Sequence, residues 1–340
     1  MVVNLYTFNF NDMRNKANKI ITKPFRKGLF KVSIFISIVG MSDLVIGSLL
    51  EKFYFKQASG FDYLTTYSLE KTNADVLIFG SSRAVNIFKP DIFEKETGLS
   101  CYNVGRYGQP IFYHYAVLKS VLKRYKPKKI ILSFDEGNFS IRQEAYDRLA
   151  VLLPYYDRHP EIRSIAELKG PHEKVKLLSN IYPYNSLLLP VITSNYGRGE
   201  KRAEHSKGFI PLENKLAGRI RTVDYSKETA LDNVKIEYYR RFIEECKNSK
   251  VELYLACPPY KVNSIGMDRS LSEGKKIAQE YQITFFDYSR DTSFTNNTEL
   301  FADFRHLNNR GADIISTDII EKIKRLPISE QTEKRREELN

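Results

Sequence analysis

Residues 75–83 read Asp-Val-Leu-Ile-Phe-Gly-Ser-Ser-Arg. Val76 to Phe79 is an unbroken apolar run, stopped by Gly80. A short run of this kind, bounded by turn residues, is the pattern of a strand buried on both faces. Such strands belong to parallel sheets covered by helices. The stretch therefore constrains the chain toward an α/β fold. Gly80, Ser81, Ser82 and Arg83 fall on the turn at the strand's carboxyl end, the edge where open α/β sheets place ligands. A serine there is exposed, rigidly held and close to the N–H groups of the following helix. It becomes a nucleophile if a base reaches it.

The same rhythm recurs along the chain. Ser100–Val104 predicts a second strand, ending in Gly105-Arg-Tyr-Gly-Gln-Pro110. Residues 111–125 carry Ile111, Tyr115, Leu118 and Leu122 at helical spacing, and Lys128–Phe134 predicts a third strand ending in Asp135-Glu-Gly-Asn138. Strand, turn, helix, strand is the order of a parallel sheet. Between about 140 and 225 the rhythm lapses. Helical patches at Gln143–Leu153, Ile162–Leu168 and Glu173–Leu189 are punctuated by prolines, which predicts a helical insertion beside the active face, with a basic loop at Arg198–Lys207. The rhythm resumes with a helix at 228–248, a strand at Val251–Ala256, a helix at Ser270–Tyr281, a strand at Ile283–Tyr288 and a final helix at 310–325. The tail 327–340 is charged, with no apolar stripe.

The N-terminal segment has a different character. Arg14, Lys16, Lys19, Lys23, Arg26, Lys27 and Lys31 precede an apolar stretch from Val32 to Leu50 that is interrupted by Asp43. As a helix the stretch is about 28 Å long at ~1.5 Å per residue, close to the ~30 Å of a bilayer's hydrocarbon core. Asp43 costs about 2.5–3.5 kcal/mol at the bilayer centre. No small-x-small cleavage site follows, so the expectation is an uncleaved signal anchor. The basic flank puts residues 1–31 in the cytoplasm and the rest outside it. Residues 51–74 read as a juxtamembrane stalk, and 75–326 as the globular domain. The net charge of +12 gathers partly at this flank, and basic residues do not interleave with aromatics as nucleic-acid readers require. Cys101, Cys246 and Cys257 form no C-x-x-C pair, so no zinc site is expected. Cys101 and Cys257 read as buried thiols, and one disulfide is allowed but not demanded.

A nucleophilic serine needs a base, and the base needs an orienting partner. Of five histidines, His306 alone lies in a polar turn after a late strand and just before a helix, with an acid three residues ahead, in Asp303-Phe-Arg-His306. One turn then presents both side chains in the same direction. The carboxylate holds the Nδ1 proton and leaves Nε2 free to accept from serine. Arg83, beside the serines, is a candidate for a substrate carboxylate or phosphate or for a salt bridge to a local acid. Tyr107 and Gln109 are candidate cleft residues. His114 reads as packed on its helix.

Three blocks in order, Ile78-Phe-Gly-Ser-Ser82, Asn103-Val-Gly105 and Asp303-Phe-Arg-His306-Leu-Asn308, resemble the SGNH (GDSL-like) hydrolase superfamily over about 75–138 and 227–325. The resemblance implies a three-layer α/β/α, flavodoxin-like domain with a parallel sheet. It implies Ser82 as nucleophile, Ser81 in the place of the Asp of Gly-Asp-Ser, His306 as base and Asp303 as its partner. The oxyanion hole would use the Ser82 and Gly105 N–H groups and an Asn side chain. Asn138 is the candidate, although Asp135-Glu-Gly-Asn138 departs from the usual Gly-x-Asn-Asp, and Asp135, a backbone group or a two-donor hole are alternatives. No cofactor or metal is implied.

Anchored Gly-Ser-Ser relatives act on envelope or exported polysaccharides or handle D-alanyl groups on teichoic acids. By analogy the expected function is an extracytoplasmic serine esterase or O-acyltransferase of the bacterial inner membrane. Its partners would be an acylated glycan or acyl donor and envelope-biosynthesis proteins. The alternative is a non-catalytic scaffold of the same fold. A lipase ranks lower, because residues 140–225 are charged and tyrosine-rich rather than apolar.

Overall fold

The computed structural model describes residues 23–195, 206–218, 220–226 and 230–326. The first basic residues (Arg14, Lys16 and Lys19), most of the basic loop at 198–207 and the charged tail lie outside the described residues.

Five strands form one parallel sheet: β1 (Val76–Phe79), β2 (Cys101–Asn103), β3 (Lys129–Ser133), β5 (Glu252–Cys257) and β7 (Phe285–Asp287). The order is β2-β1-β3-β5-β7. With the two strands of a smaller sheet left out, this is the flavodoxin-like order, which reverses direction between β1 and β3 and opens a crevice there. Alternation along β1 explains the layers. Leu77 and Phe79 join a core with α4 (Ile111–Arg124), α5 (Asn233–Asn248) and α6 (Arg269–Glu280). Val76 and Ile78 join the opposite core with α2 (Ser82–Ile87), α3 (Pro90–Thr97) and α7 (Asn309–Arg325). All four side chains are buried, and each stabilises the fold by about 1.5–3 kcal/mol. Cys101, Cys246 and Cys257 are all buried and free.

Ile78 stands in register with Asn103 on one side and Ile131 on the other. The three strands therefore end together, and the turns at 80–83, 104–110 and 134–138 share one edge. Gly80 makes this close approach feasible: a Cβ there would lie 2.6 Å from Ser133 Cβ and 2.8 Å from Ala84 Cβ.

Three regions differ from the sequence reading. Residues 51–74 are not a free stalk. The N-terminal helix α1 (Lys23–Phe55) runs past Leu50, and a short helix (Gly60–Thr66) and a π turn (Tyr67–Lys71) follow. Tyr54 and Leu69 are fully buried in the main core, because the aromatic residues supply packing surface and Tyr54 hydrogen-bonds Tyr155 at 3.2 Å. The insertion is broken into short pieces rather than three continuous helices, with Pro154 inside a 3₁₀ stretch (Arg148–Tyr155), as the missing N–H of proline dictates. It also contains a strand, β4 (Arg221–Asp224), which pairs in parallel with β6 (Val262–Ile265). Both are short and largely exposed, so neither carries the apolar run that marks a buried strand.

The insertion touches the sheet and α1. Asn103 N–H donates to Lys207 O at 2.9 Å, covering the edge of β2. Asp43 accepts from Ser179 Oγ (2.5 Å), Asn180 N (2.7 Å), Asn180 Nδ2 (3.0 Å) and Ile181 N (3.3 Å). The residue that looked like a blemish in an apolar helix is thus the receptor for a loop. The helix Leu188–Asn195 follows, and Asn195 Nδ2 reaches Phe53 O at 3.0 Å. Among the described residues α1 is the one helix long and apolar enough to cross a membrane.

Candidate active site

Ser82 is the first residue of α2, and Ser81 is its N-cap, accepting from Arg83 N at 3.3 Å. As the first helical residue, Ser82 has no intrahelical acceptor for its own N–H. The base arrives from the far end of the chain. Phe301 and Leu307 bridge antiparallel, and His306 O accepts from Ala302 N at 2.9 Å, so residues 302–306 form a closed turn. Asn308 then caps α7 by accepting from Gly311 N at 3.1 Å. Within the turn, Asp303 Oδ1 accepts from Arg305 N (2.7 Å) and His306 N (2.9 Å), which locks the carboxylate. His306 Nδ1 lies 2.9 Å from Asp303 Oδ2 and 3.0 Å from Oδ1. His306 Nε2 lies 2.8 Å from Ser82 Oγ. With Nδ1 donating to Asp303, Nε2 is the acceptor for the serine proton. Burial alone would raise the Asp303 carboxyl. The His306 and backbone hydrogen bonds outweigh it and hold Asp303 below the usual aspartate value.

Ser82 and His306 open into a cleft of about 230 Å³. It is walled by Gly108–Pro110 after β2, Asp135–Asn138 after β3, and residues of the insertion including Arg142 and Arg148. Asn138 lines it, and its side chain has no hydrogen-bond partner among the described residues. Gln109 lines it too, with Nε2 donating to Arg148 O at 3.4 Å and a buried Oε1 without a partner. His114 lies beneath, 4 % exposed, and burial pushes its imidazole down to about 3, so it is neutral packing for this wall.

Three expected residues are placed differently. The Gly105 N–H donates to Asn103 Oδ1 at 3.0 Å, and Gly105 does not line the cleft. A side chain two residues back competes for a backbone donor, as Asn does in turns. Arg83 borders the cleft, but its side chain is 1 % exposed. Its guanidinium stacks on Tyr260, 3.4 Å from the ring centre, donates to Pro259 O at 2.8 Å and lies 3.9 Å from Asp135. Of the two roles considered for Arg83, the ion pair with a local acid is the one seen. Tyr107 does not line the cleft. Its ring packs on Phe61 at 5.2 Å, and its hydroxyl accepts from Asn86 Nδ2 at 2.7 Å.

The sequence reading missed the loop supports. Glu136 N–H donates to Tyr260 Oη at 2.8 Å, while the Glu136 carboxylate takes Arg290 at 2.6 Å and the hydroxyl of Tyr225. Tyr225 directly follows β4, so the small sheet braces the loop after β3. Their spacing along the chain carries no signal for this.

Comparison with known proteins leaves the sequence without a match among family models or curated proteins. Solved structures are similar, among them the following two. One is the crystal structure of an acetyl xylan esterase, AlAXEase, at 12 % identity over 73 % of this chain and 99 % of that one, with a TM-score of 0.37. The other is the lipase/acylhydrolase from Enterococcus faecalis, at 12 % identity over 73 % and 94 %, with a TM-score of 0.36.

Proposed function

We propose that the chain is a membrane-anchored serine esterase or O-acyltransferase acting on short acyl esters of extracytoplasmic carbohydrate. The carrying observation is the continuous hydrogen-bonded series Ser82–His306–Asp303 at the sheet's carboxyl edge. Ser82 Oγ attacks the ester carbonyl while its proton passes to His306 Nε2, and Asp303 stabilises the imidazolium. As the tetrahedral intermediate collapses, the ester C–O bond breaks and His306 returns the proton to the departing alcohol. Water or a sugar hydroxyl, deprotonated by His306, then attacks the acyl-serine and releases acid or a new ester.

The cleft's volume is below the roughly 300–1,000 Å³ of sites that engulf a drug-sized ligand. Its lining is mostly polar and charged, which suits a short acyl group on a sugar better than a lipid chain. The three SGNH-like blocks supporting this chemistry converge on one edge, although Gly105 contributes its turn rather than a free donor.

Anchorage is supported by α1, where Phe25, Phe30, Phe35, Ile36, Ile38 and Met41 are exposed. Its apolar stretch Val32–Leu50 spans about 28 Å at ~1.5 Å per residue, and residues 179–181 meet Asp43 and Gly47 toward its far end. Arg26, Lys27 and Lys31 mark its cytoplasmic end by the positive-inside rule.

One observation favours a non-catalytic scaffold as the second reading: the Gly105 N–H is already bonded to Asn103, and a missing oxyanion donor costs about 2.7–4 kcal/mol in the transition state. Fluorophosphonate labelling of the full chain in detergent at neutral pH separates the two. Labelling that disappears in Ser82→Ala is expected, and a folded sample that does not label supports the scaffold. Product analysis with an acetyl-ester donor, with and without oligosaccharide acceptors, then distinguishes hydrolysis from transfer.

A further inference from the structure

Three arginines converge on the cleft from two separate parts of the fold. Arg142 and Arg148 come from the insertion, and Arg305 comes from the turn that carries His306. None has an ion-pair or side-chain hydrogen-bond partner among the described residues. Several exposed or half-buried arginines elsewhere are engaged: Arg158 with Glu70, Arg240 with Glu280, Arg241 with Glu237 and Arg290 with Glu136. The other cations at the cleft are also committed. Arg83 is stacked on Tyr260, and Lys235 donates to Ser140 O at 2.5 Å and lies 4.0 Å from Asp232. On the acidic side, Asp135 is occupied by Ser81 and Arg83, and Glu136 by Arg290. Glu144 is then the one carboxylate at the cleft without a partner among the described residues.

The arginines are positioned by the cleft wall. Gly108 has φ +66°, and a Cβ there would lie 2.3 Å from Arg148 Nη1, so the guanidinium rests on bare backbone. A Cβ at Gly137 would meet Arg142 Nη2 at 3.8 Å. The two guanidinium groups thus lie against the loops after β2 and after β3, the loops that flank Ser82. Guanidinium forks match the planar, two-oxygen geometry of carboxylates and phosphates.

We propose that Arg142, Arg148 and Arg305 form a subsite for an anionic group, a carboxylate or phosphate, carried by the substrate beside its acyl ester. This rests on the esterase reading of Ser82 and narrows its substrate to acylated polyanions. The arginines hold the anion while the ester carbonyl lies against Ser82, so charge on the polymer sets which ester is presented. Because they are solvent-accessible, their attraction falls with ionic strength.

The test is calorimetric titration of the full chain in neutral detergent with trigalacturonate, sn-glycerol 3-phosphate and neutral xylotriose, for wild type and Arg142→Gln/Arg148→Gln. At least one anionic probe is expected to bind about tenfold more tightly than xylotriose. That advantage should fall about tenfold in the double variant and on raising salt from about 0.05 to 0.5 M. The arm that binds identifies carboxylate or phosphate. Equal binding of charged and neutral probes, or unchanged anion binding in the double variant, overturns the proposal. Should circular dichroism show that the double variant misfolds, Arg305→Gln gives the same decision. Fluorophosphonate labelling of the same samples keeps the two readings apart. Anion binding without labelling removes the esterase reading alone, and labelling without anion preference removes this one alone.

Discussion

The hydroxyl of Ser81 donates to Asp135 Oδ2, while that of its neighbour Ser82 lies 2.8 Å from His306 Nε2, across 224 residues of chain. Two adjacent serines are thereby divided between an acid and a base, and between two tasks. Ser82→Ala is expected to abolish fluorophosphonate labelling and lower esterase turnover by about a thousandfold or more. Ser81→Ala removes the cap of α2 and is expected to cost about 0.5–2 kcal/mol in denaturant unfolding while leaving Ser82 reactive. Labelling that survives in Ser82→Ala but not in Ser81→Ala would reverse the assignment.

Arg83 should act on stability rather than on substrate affinity. Its removal strips the Tyr260 face and leaves the buried Pro259 carbonyl without its donor, and an unmet buried acceptor costs about 1–3 kcal/mol. Arg83→Ala is therefore expected to lower the denaturation midpoint strongly. A raised KM with an unchanged midpoint would instead return Arg83 to the substrate.

His159 sits between Glu70 (3.1 Å) and Glu161 (2.8 Å), joining the π turn to the insertion. Burial alone would lower its pKa, but the two carboxylates raise it above 6.5. Burial opposes ionisation of Glu161 too, yet the hydrogen bonds from His159, its own backbone N–H and Lys123 bring it down to about 2. A raised histidine contributes fully below the unfolded value and loses its contribution as pH rises through the folded value. A lowered carboxylate contributes above about 4.5 and loses it as pH falls toward 2. The cluster is thus at full strength between about pH 4.5 and 6.5. Wild type is expected to lose melting temperature above that window, and His159→Gln to show a flatter alkaline limb. Parallel limbs in the two proteins would refute the role.

At Gly47 an added Cβ would lie 2.3 Å from Asn180 Cβ. Gly47→Ala must therefore push residues 179–181 off the helix, an overpacking cost of about 1–3 kcal/mol. Faster amide exchange at Asn180 and Ile181 is the expected signature, and exchange identical to wild type would show that the loop does not dock there.

The strands were legible wherever both faces are buried. Val76–Phe79 is a continuous apolar run and Lys129–Ser133 carries one at Ile130–Leu132, and the structure ends both strands within a residue or two of the expected positions. The Asp303–His306 turn was legible because three residues of spacing suffice to aim two side chains together. Side-chain commitments were not legible. That Asn103 takes the Gly105 N–H, that Arg83 folds onto Tyr260 and that Tyr107 turns toward Asn86 depend on neighbours 2, 177 and 21 positions away. The β4–β6 pair was hidden for the opposite reason, since exposed strands lack the apolar pattern. Residues 51–74 read as a stalk because aromatic content alone does not say which rings find a core.

The grip of residues 179–181 on Asp43 has a mechanical meaning on the membrane-anchored reading. A catalytic domain hung from a slack linker sweeps a hemisphere and meets its substrate by collision. Here α1 runs unbroken to Phe55 and is held by the same insertion that walls the cleft with Arg142 and Arg148. The helix is then a strut, and it fixes both the altitude of Ser82 above the lipid and the side from which it is approached. On the proposed reading a polymer substrate would be threaded past that point, and the anchor would select where along it an acyl group is handled.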